Sequence, residues 1–413
     1  MPTHLGARIA IHPVSYETLD WRISAPEMYS RAELKRQSGP YQAATPSPIA
    51  HWSPIVGSLD SADVEDAMNA LTSFDHHAAI HLGRENPALG PMSAILLRTE
   101  SASSSQIEQL TTTAKQLALA ELGESDKANA LSVMGNVRAM EASLKLSQHL
   151  DSASVLAMHR ELMLHQLGFP ADDAGRYRTQ QVWIGPGTAG PRTADFVPPH
   201  QSRVQVCMDD LMRFIDRDDL PVLLQVAVAH AQFETIHPFP DGNGRTGRAL
   251  AQAILRHHGV IKATTIPISA GLLTRTDQYF AALAAFREGD AGPIVREFAG
   301  AARLAAASGT LLVDQLVEQL EDSRRRLAGI RSDAAAWSLL PELVGQPAVN
   351  TRYLVEHLGM GEMAALRTLT TLTQRGVLVE TTGRSRNRVW EHRGIFKVLD
   401  GYASNIRRAS AAS

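Results

Sequence analysis

The chain has 413 residues, of which 44% are apolar and 20% charged, and its formal net charge is −3. This composition supports a sizeable buried core and excludes a globally disordered chain, and the length is typical of two or three domains. The small net charge excludes a uniformly basic nucleic-acid binder, although a single domain could still bind nucleic acid.

Compartment and membrane contact are constrained by three sequence features. Cys207 is the single cysteine, so an intrachain disulfide is impossible and a reducing compartment is favoured. The N-terminus has no basic start followed by an apolar stretch, which argues against a secretory signal. No run of about 18 apolar residues is present, so no membrane span is predicted. We therefore expect a soluble cytoplasmic protein with no membrane partner.

Helices are predicted along most of the chain after a weakly periodic stretch at residues 1–60. Apolar periodicity predicts helices at 61–77, 92–119, 126–149 and 152–167. The serine cluster at 101–105 is unusual in a helix, because hydroxyl groups compete for backbone hydrogen bonds.

A Gly/Pro-rich stretch with a short β-like VWI, residues 176–199, predicts a hairpin or flap. Helices follow at 201–216, 219–234 and about 244–258, and further helices extend to about residue 330. Asp218 or Asp219 is a candidate N-cap for the second of these helices, with Pro221 in its first turn.

The last 75 residues have a pattern of their own. The stretch 350–359 predicts a helix ended by Gly359, and 364–376 predicts a second helix ended by Gly376. Two strands then flank a TTGRSRNR tip, which gives the outline of a winged helix–turn–helix. Arg367 and Gln374 would lie on the second helix. The side chains predicted to crowd the tip, where phosphates would attract them, are Arg384, Arg386 and Arg388. A packing or dimerisation module with a solvated basic hairpin remains the alternative.

The stretch HPFPDGNGRTGR at residues 237–248 is the chemically richest part of the sequence. Its glycines can aim backbone N–H groups at one point where a helix begins, and such a nest attracts phosphate. Arg245 and Arg248 share a helix face and can bind phosphate in bidentate fashion. Asp241 is suited to Mg²⁺, and His237 is suited to take a proton from an attacking hydroxyl.

Three other interpretations of this region do not fit. Gly242, Gly244 and Gly247 match G-x-G-x-x-G, but a helix precedes them and no acidic residue follows before Asp277, which excludes a dinucleotide fold. The P-loop pattern is absent. The nearby histidines do not have the spacing of a known metal-ligand set; they are His230, His237, His257 and His258.

The whole stretch resembles the signature of the Fic/DOC family, H-x-F-x-[DE]-G-N-G-R-x-x-R, with every fixed position filled. Further residues resemble the family's flap, approach helix and later helices, and residues 40–52 resemble the N-terminal domain of Fic proteins that carry a C-terminal winged helix. These residues are Gly175, Arg176, Val182, Ile184, Gly185, 196–199, 233–236, Tyr279, Arg287, Gly289 and Asp290. The resemblance implies a mainly α fold, with a Fic helical core, a β-hairpin flap and a C-terminal winged helix–turn–helix domain.

The resemblance implies AMP transfer from ATP to a protein hydroxyl on Ser, Thr or Tyr. His237 would be the general base, Asp241 would hold Mg²⁺, and Phe239 would anchor the loop in the core. The implied nucleotide-binding residues are Gly242, Asn243, Gly244, Arg245, Thr246, Gly247, Arg248 and Tyr279. The partners expected from this role are ATP and a protein substrate, including the chain itself.

The serine cluster acquires a role under the same resemblance. Ser104 and Glu108 match the inhibitory motif [ST]-x-x-x-E-[GN] of one Fic class, in which the glutamate pairs with the second arginine, here Arg248. Gln109 departs from the pattern, which has Gly or Asn there. A solvated surface glutamate is the alternative interpretation.

The predicted organisation has an N-terminal Fic-associated helical region with the inhibitory helix at 1–120, a Fic core at 121–310, a helical linker at 311–340 and the winged helix–turn–helix domain at 341–413. The competing hypothesis is a DNA-binding transcriptional regulator with a nucleotide-sensing or weakly active Fic core. A Fic enzyme that uses UTP or GTP, or one that also removes AMP, is a third hypothesis. Homodimerisation is one further partner hypothesis.

Overall fold

The computed structural model describes residues 8–82, 89–164, 166–187, 189–381 and 388–411. These residues are mainly helical, and their strands form two small sheets. No helix within the described ranges is long and apolar enough to cross a membrane.

The first elements are β1 (Ser15–Trp21), α1 (Arg31–Gln37), β2 (Gly39–Thr45), α2 (Ser58–Leu82), α3 (Leu89–Ile107), α4 (Ala114–Glu121), α5 (Ala128–Leu146), α6 (Ser152–Met163), α7 (Val204–Ile215) and α8 (Val222–Ile236). The later elements are α9 (Asn243–His257), α10 (Ile268–Thr274), α11 (Thr276–Arg287), α12 (Gly292–Arg326), α13 (Ala335–Gly345), β3 (Ala348–Val349), α14 (Thr351–Leu358), α15 (Glu362–Gln374), β4 (Val379–Glu380), β5 (Trp390–Glu391) and α16 (Arg393–Ala411).

The centre of the core is α8, whose residues from 223 to 236 are all buried. Apolar residues lie on every face of this helix, as expected of a helix enclosed by others, here α2, α7, α9, α11 and α12. The predicted N-cap of this helix is wrong, because Pro221 occupies the cap and no side chain caps the first turn. Asp219 instead accepts from Arg217, with Nη2 and Oδ2 2.8 Å apart.

The N-terminal region contains an antiparallel sheet that periodicity did not predict. In it β1 pairs with β2, with Ser15 opposite Thr45. The strand β1 is largely exposed, so its side chains show no strong alternation between apolar and polar residues. The sheet braces the predicted flap, since Trp21 Nε1 donates to Ala189 O at 2.9 Å.

Among the described residues of the flap, one antiparallel bridge joins Ile184 to Phe196, and no two-stranded ladder is present. Glycines interrupt the β-like run. Gly185 has a φ of +98°, and a methyl group added there would lie 2.3 Å from a carboxylate oxygen of Asp195. The chain therefore reverses direction in the flap, as a hairpin requires, but the two paired strands of a hairpin are not present among the described residues.

The helix predicted at 92–119 is wrong in one respect, because the structure breaks it into α3 and α4. The break begins at Gln109, which has a left-handed φ of 63°, and Leu110 N donates to Ser105 O across the turn at 3.0 Å. Thr113 then caps α4 by accepting from Gln116 N at 3.2 Å. Glu108 thus lies at the end of a helix and not in its interior.

A 35-residue helix, α12, packs along α2 and continues through the predicted boundary at 310/311. Close contact between the two helices depends on Gly309, where an added methyl group would lie 2.7 Å from the Phe74 ring. The predicted linker therefore begins inside a continuous helix.

The last seven elements pack against α3, α10 and α12 and contain a sheet with the strand order β3–β5–β4. The two predicted helices are present as α14 and α15. Gly359 closes α14 with a φ of 64°, and Gly376, with a φ of 69°, follows α15. Residues 382–387, including the predicted Arg384 and Arg386, lie outside the described residues.

Candidate active site

The site begins where α8 ends, at a histidine in an unusual backbone conformation. His237 has φ 49° and ψ 62°, a left-handed conformation that costs a non-glycine residue about 1–2 kcal/mol. Arg178 compensates for this strain by donating from Nε to the His237 carbonyl at 2.8 Å, while the Arg178 backbone N–H donates to Pro238 O at 2.9 Å. The flap arginine therefore holds the histidine in place.

The loop after His237 is closed by its own residues. The Asn243 carboxamide bonds both polar groups of Phe239, accepting from the backbone N–H and donating to the carbonyl, each at 2.9 Å. The Phe239 ring is fully buried, as predicted, and stacks on His159 with 3.7 Å between ring centroids. The side chain of Asn243 is therefore committed to the loop, which leaves backbone amides as the groups that face an incoming phosphate.

His159 supports the loop from behind. Its Nδ1 accepts from Gly175 N at 3.0 Å, so its Nε2 carries the proton donated to Asp241 O at 3.1 Å. Burial lowers the pKa of His159 to about 4, which keeps the ring neutral in this role.

Two glycines allow close approach at the start of α9. Gly242 has a φ of +76°, and a methyl group there would lie 2.9 Å from Met163 Sδ. A methyl group on Gly244 would lie 2.1 Å from Glu108 Oε1. The first N–H groups of a helix have no intrahelical acceptor and attract anions. In this structure the anion nearest to Gly244 is the Glu108 carboxylate.

Arg248 is almost fully buried and is held by α3. Its Nε donates to Ser104 Oγ at 2.8 Å, and its Nη2 donates to Ser104 O and to Glu108 Oε1, each at 2.9 Å. The sequence prediction paired these residues, and the structure brings them into contact. The contact also accounts for one of the clustered serines. The Ser104 hydroxyl accepts a hydrogen bond from Arg248 and so does not compete for the hydrogen bonds of the helix backbone.

Arg245, one turn earlier on α9, is also buried, but its guanidinium group has fewer hydrogen-bond partners than that of Arg248 among the described residues. Its Nη2 donates to Gln166 Oε1 at 2.9 Å, and the nearest carboxylate oxygen, Asp241 Oδ1, is 3.8 Å from Nη2. Its Nε and Nη1 atoms are buried and have no hydrogen-bond partner in the described part of the chain. Unpaired buried donors of a charged group are costly, and an anion with several acceptor oxygens would satisfy them.

Asp241 is the candidate metal ligand. Its carboxylate is about half exposed, accepting from Gly242 N at Oδ1 and from Gln166 Nε2 at Oδ2, both at 2.6 Å. A carboxylate has about four acceptor positions, so two are left for a cation. Within the described ranges no cluster of three or more His, Cys, Asp or Glu side chains forms a metal cage. Mg²⁺ fits this arrangement, because it binds through one or two carboxylates together with phosphates and water.

Three of the predicted nucleotide-binding residues lie in the core of this structure. Tyr279 is fully buried, and its hydroxyl lies 2.7 Å from His230 Nε2. Thr246 is also fully buried. Gly247 packs on α8, where an added methyl group would lie 3.0 Å from the Phe233 ring. In this structure the three residues pack on the core side of α9, and their contact with a nucleotide stays a prediction.

Two residues beside the site were not predicted. Gln166 bridges Asp241 and Arg245, and no sequence pattern marks it. Glu234 lies one turn before His237, with its Oε2 3.9 Å from His237 Nδ1. Glu234 lies in the stretch 233–236 that resembles the family's approach helix, and a carboxylate in a mostly apolar stretch is the sequence signal that marks it.

The His237 ring is mostly buried, with about a fifth of its side chain exposed. Burial, together with the nearby cations Arg178 and Arg287, lowers the pKa of His237 to about 4. The imidazole is therefore neutral at physiological pH and able to accept a proton.

Comparison with known proteins identifies the region around this site. The model of the Fic/DOC family matches residues 149–255. The chain is 30% identical over 167 residues to protein adenylyltransferase fic-1 of Caenorhabditis elegans, an alignment that covers 39% of this chain and 29% of the relative. It is also 30% identical over 156 residues to protein adenylyltransferase Fic of Nematostella vectensis, covering 37% of this chain and 32% of the relative.

The chain thus spans about three tenths of the length of these curated relatives. A crystal structure of a Fic family protein from Desulfovibrio desulfuricans G20 matches with 24% identity and a TM-score of 0.47, covering 78% of this chain and 95% of that chain. The family match covers α6 to α9, which includes the whole loop from His237 to Arg248. Residues 149–255 of this chain therefore match the Fic/DOC family domain.

Proposed function

We propose that this chain is a Mg²⁺-dependent protein adenylyltransferase that transfers AMP from ATP to a Ser, Thr or Tyr hydroxyl and is held inactive by Glu108. The observation that carries the proposal is the loop between α8 and α9. It joins a neutral, partly exposed imidazole to a helix N-terminus that bears two buried arginines, one of them with two nitrogens that have no partner among the described residues. The relatives named protein adenylyltransferase support the choice of nucleotidyl transfer.

In the proposed reaction the imidazole of His237 takes the proton of the target hydroxyl as that oxygen attacks the α-phosphorus. A new O–P bond forms, the bond from the α-phosphorus to the bridging oxygen breaks, and pyrophosphate leaves. The amide of Gly244 stabilises the negative charge that develops on the phosphate, and the amide of Gly242, which donates to Asp241 Oδ1 in this structure, would turn to the phosphate when Asp241 holds the metal ion. Arg245 and Arg248 hold the outer phosphates.

Asp241 would hold the metal ion, which neutralises phosphate charge and orients the leaving pyrophosphate. In this proposal Asn243 acts through the loop, since its carboxamide already pairs with Phe239. The flap could receive an extended target segment by strand addition beside Ile184.

Inhibition follows from the contacts of Arg248. With Glu108 on its Nη2, Arg248 cannot offer the bidentate face that an outer phosphate needs. The carboxylate also lies close to Gly244, so it would repel any phosphate at that helix end. ATP that enters such a site would be misplaced for attack.

For the last part of the chain we propose a winged helix–turn–helix, supported by the order of α14, a Gly359 turn, α15 and the β4–β5 hairpin. Arg367 and Gln374 are exposed on α15, which keeps a DNA-binding regulator as a second candidate function. Arg388 does not favour it, because this side chain pairs with Glu380 and lies 4.8 Å from the Trp390 ring. Fluorescence anisotropy of labelled duplex DNA against wild type and Arg367→Ala tests this role, and salt-independent or absent binding would remove it.

The adenylyltransferase proposal is tested by incubating wild type and Glu108→Gly with ATP, UTP or GTP in the presence of Mg²⁺. Intact-mass analysis reads the transferred group directly. We expect Glu108→Gly to gain AMP from ATP and wild type to gain much less. Gain from UTP or GTP alone would reassign the nucleotide, and loss of AMP from modified Glu108→Gly after wild type is added would assign AMP removal. No added group with any nucleotide, on the chain or on proteins of a cell extract, contradicts the proposal.

A further inference from the structure

A cavity of about 340 Å³ lies behind α3, on the side of this helix away from Arg248. Its walls come from α3, α4, α10 and α16 and from the turn that joins α3 to α4. The volume falls within the range of small-molecule sites and equals the share of about ten water molecules in the liquid. Such sites form preferentially where separately packed parts of a chain meet, as α16 and the end of α3 do here.

The two faces of α3 have different neighbours. On one face, Ser104 and the following Glu108 accept hydrogen bonds from Arg248. Because successive residues of an α-helix are rotated by about 100°, the residues two before and two after Ser104 lie on the opposite face. These residues, Ala102 and Gln106, line the cavity. A molecule in the cavity would therefore contact the back of the helix that holds Arg248.

Apolar side chains line much of the cavity. They come from α3, α4, α10 and α16 and include Ile95, Leu117, Leu273, Leu399 and Ile406. Water finds few hydrogen-bond partners against such a surface, so the apolar atoms of a ligand are favoured there.

One charged side chain of the cavity is buried. Arg98 on α3 is about nine-tenths buried, and its Nη2 pairs with Glu121 on α4. Its Nη1 atom is also buried and has no hydrogen-bond partner among the described residues. A buried guanidinium nitrogen without an acceptor is costly, and a carboxylate beside Arg98 would supply the acceptor.

The remaining charged side chains of the cavity are Asp400 and Arg407 on α16, both of them exposed. With Arg98, the lining therefore has two cations and one anion, which favours a ligand with a single negative charge. A ligand with several charges, such as a nucleotide, would leave charge unpaired against the apolar surface. A small monocarboxylate with an apolar body fits both the charge and the surface.

We propose that this cavity binds a small monocarboxylate with an apolar body, and that the bound molecule stabilises α3 in the position that places Glu108 on Arg248. The cavity is present together with that contact, so a molecule that fills it favours this conformation by mass action. The turn at Gln109 would be held as well, because Gln106 before it and Thr111 after it both line the cavity. The effect on activity rests on the proposed function, whereas binding does not.

Octanoate is the probe for binding, and octanamide is its uncharged counterpart. Ligand-observed NMR titration of the full-length protein measures both affinities. We expect a Kd of about 1 mM or lower for octanoate and about tenfold weaker binding of octanamide. Absence of octanoate binding up to about 10 mM, or equal affinities for the two compounds, would overturn the proposal.

Arg98→Met tests the recognition of the carboxylate. This variant should lose the preference for octanoate over octanamide, whereas Arg408→Met, which removes the same charge outside the cavity, should keep it. Because Glu121 loses its partner in Arg98→Met, the double variant Arg98→Met/Glu121→Gln repeats the test without an unpaired carboxylate. A preference that survives in both Arg98 variants would overturn the assignment of Arg98.

Ala403→Leu tests the place of binding, because it fills part of the cavity from α16. It should weaken octanoate binding by about tenfold or more. Asn405→Leu, exposed on α16 outside the cavity, is the control and should change the affinity by less than about twofold. Circular dichroism reports whether each variant is folded. A folded Ala403→Leu protein that binds octanoate as wild type does would overturn the proposal.

The link to α3 is read from hydrogen exchange of the Leu110 amide, which donates to Ser105 O across the turn. Octanoate at about four times its Kd should slow this exchange by about fivefold in wild type, and the same concentration should have a smaller effect in Ala403→Leu. Unchanged exchange in octanoate-bound wild type would overturn the link.

The effect on activity is read from basal auto-AMPylation. Octanoate should lower it in wild type and leave it unchanged in Glu108→Gly, where the contact with Arg248 is absent. Equal lowering in both proteins would show direct interference at the active site and overturn the link to α3. If no AMP is transferred while octanoate binds and slows exchange, the proposed function fails and the cavity site stands.

Discussion

The two arginines on the first turns of α9 are three residues apart, yet their surroundings differ sharply. Arg248 has a hydroxyl, a carbonyl and a carboxylate as acceptors, all from the end of α3. Arg245 has one neutral acceptor from the loop after α6, and two of its nitrogens are unpartnered within the described residues. In the proposed phosphate site, the Arg248 end is therefore occupied by groups of the protein, whereas the Arg245 end has few acceptors among the described residues. This difference arises from the residues around α9 and not from the motif itself.

His237→Ala removes the imidazole that we propose as the general base of the reaction. Loss of a general base lowers rates by roughly 10²–10⁴-fold. In the Glu108→Gly background we expect auto-AMPylation, measured by intact mass over time, to fall by that factor while binding of the nucleotide is retained. Unchanged transfer would show that another group takes the proton.

Glu108→Gly removes the ion pair with Arg248 at the occupied end of the proposed site. Removal of the carboxylate frees Arg248 Nη2 and the N-terminus of α9, and coupling free energies of this kind change the affinity for a ligand by about 5–150-fold. We expect auto-AMPylation to rise within this range. Glu108→Gln is the matched control, because it keeps the side-chain shape and removes the charge, and it should give a smaller rise. Equal activity in wild type and Glu108→Gly contradicts the inhibitory role.

Gln166→Ala tests the end of the proposed phosphate site that contains Arg245. The side chain bridges Asp241 and Arg245, the two groups proposed for the metal and the outer phosphates, so the nucleotide must displace it. Loss of a competing hydrogen bond of about 1 kcal/mol should tighten binding of α,β-methylene-ATP with Mg²⁺ by roughly fivefold. Isothermal titration calorimetry measures this change. The exposed neighbour Leu167→Ala controls for effects on the loop, and equal tightening in both variants would exclude a specific role for Gln166.

Gln109→Gly should stabilise the turn at the end of α3, which carries Glu108. Gln109 has a φ of 63°, and glycine relieves a strain of about 1 kcal/mol at this helix end. We expect slower hydrogen exchange of the Leu110 amide, which closes the turn onto Ser105, by about fivefold, together with lower basal auto-AMPylation. Gln106→Gly, inside α3, is the control and should speed exchange instead. Faster exchange in Gln109→Gly would show that the left-handed conformation is not the strained feature.

The sequence was most informative where a local pattern carries the chemistry. The residues from His237 to Arg248 could be assigned roles because their spacing places a base, a nest and two arginines together, and the contact of Glu108 with Arg248 followed from a family resemblance. The left-handed conformation of Gln109 explains physically why that pattern has Gly or Asn at this position.

What could not be predicted depends on packing between distant segments. Gln166 meets Arg245 across 79 residues, and the inward orientation of Tyr279 depends on its contact with His230 across 49 residues. The sheet of β1 and β2 was missed because its strand β1 is largely exposed and lacks apolar alternation. Such contacts leave no periodic signal in the sequence.

In the proposed mechanism Glu108 and the outer phosphate of ATP compete for Arg248. Calorimetric titration of wild type and Glu108→Gly with α,β-methylene-ATP and α,β-methylene-ADP, each with Mg²⁺, tests it most directly, because the two ligands differ only in the outermost phosphate. We predict that Glu108→Gly binds the triphosphate about tenfold more tightly than wild type does, while its affinity for the diphosphate changes by less than about threefold. Equal changes for the two ligands, or no change for either, would contradict the claim.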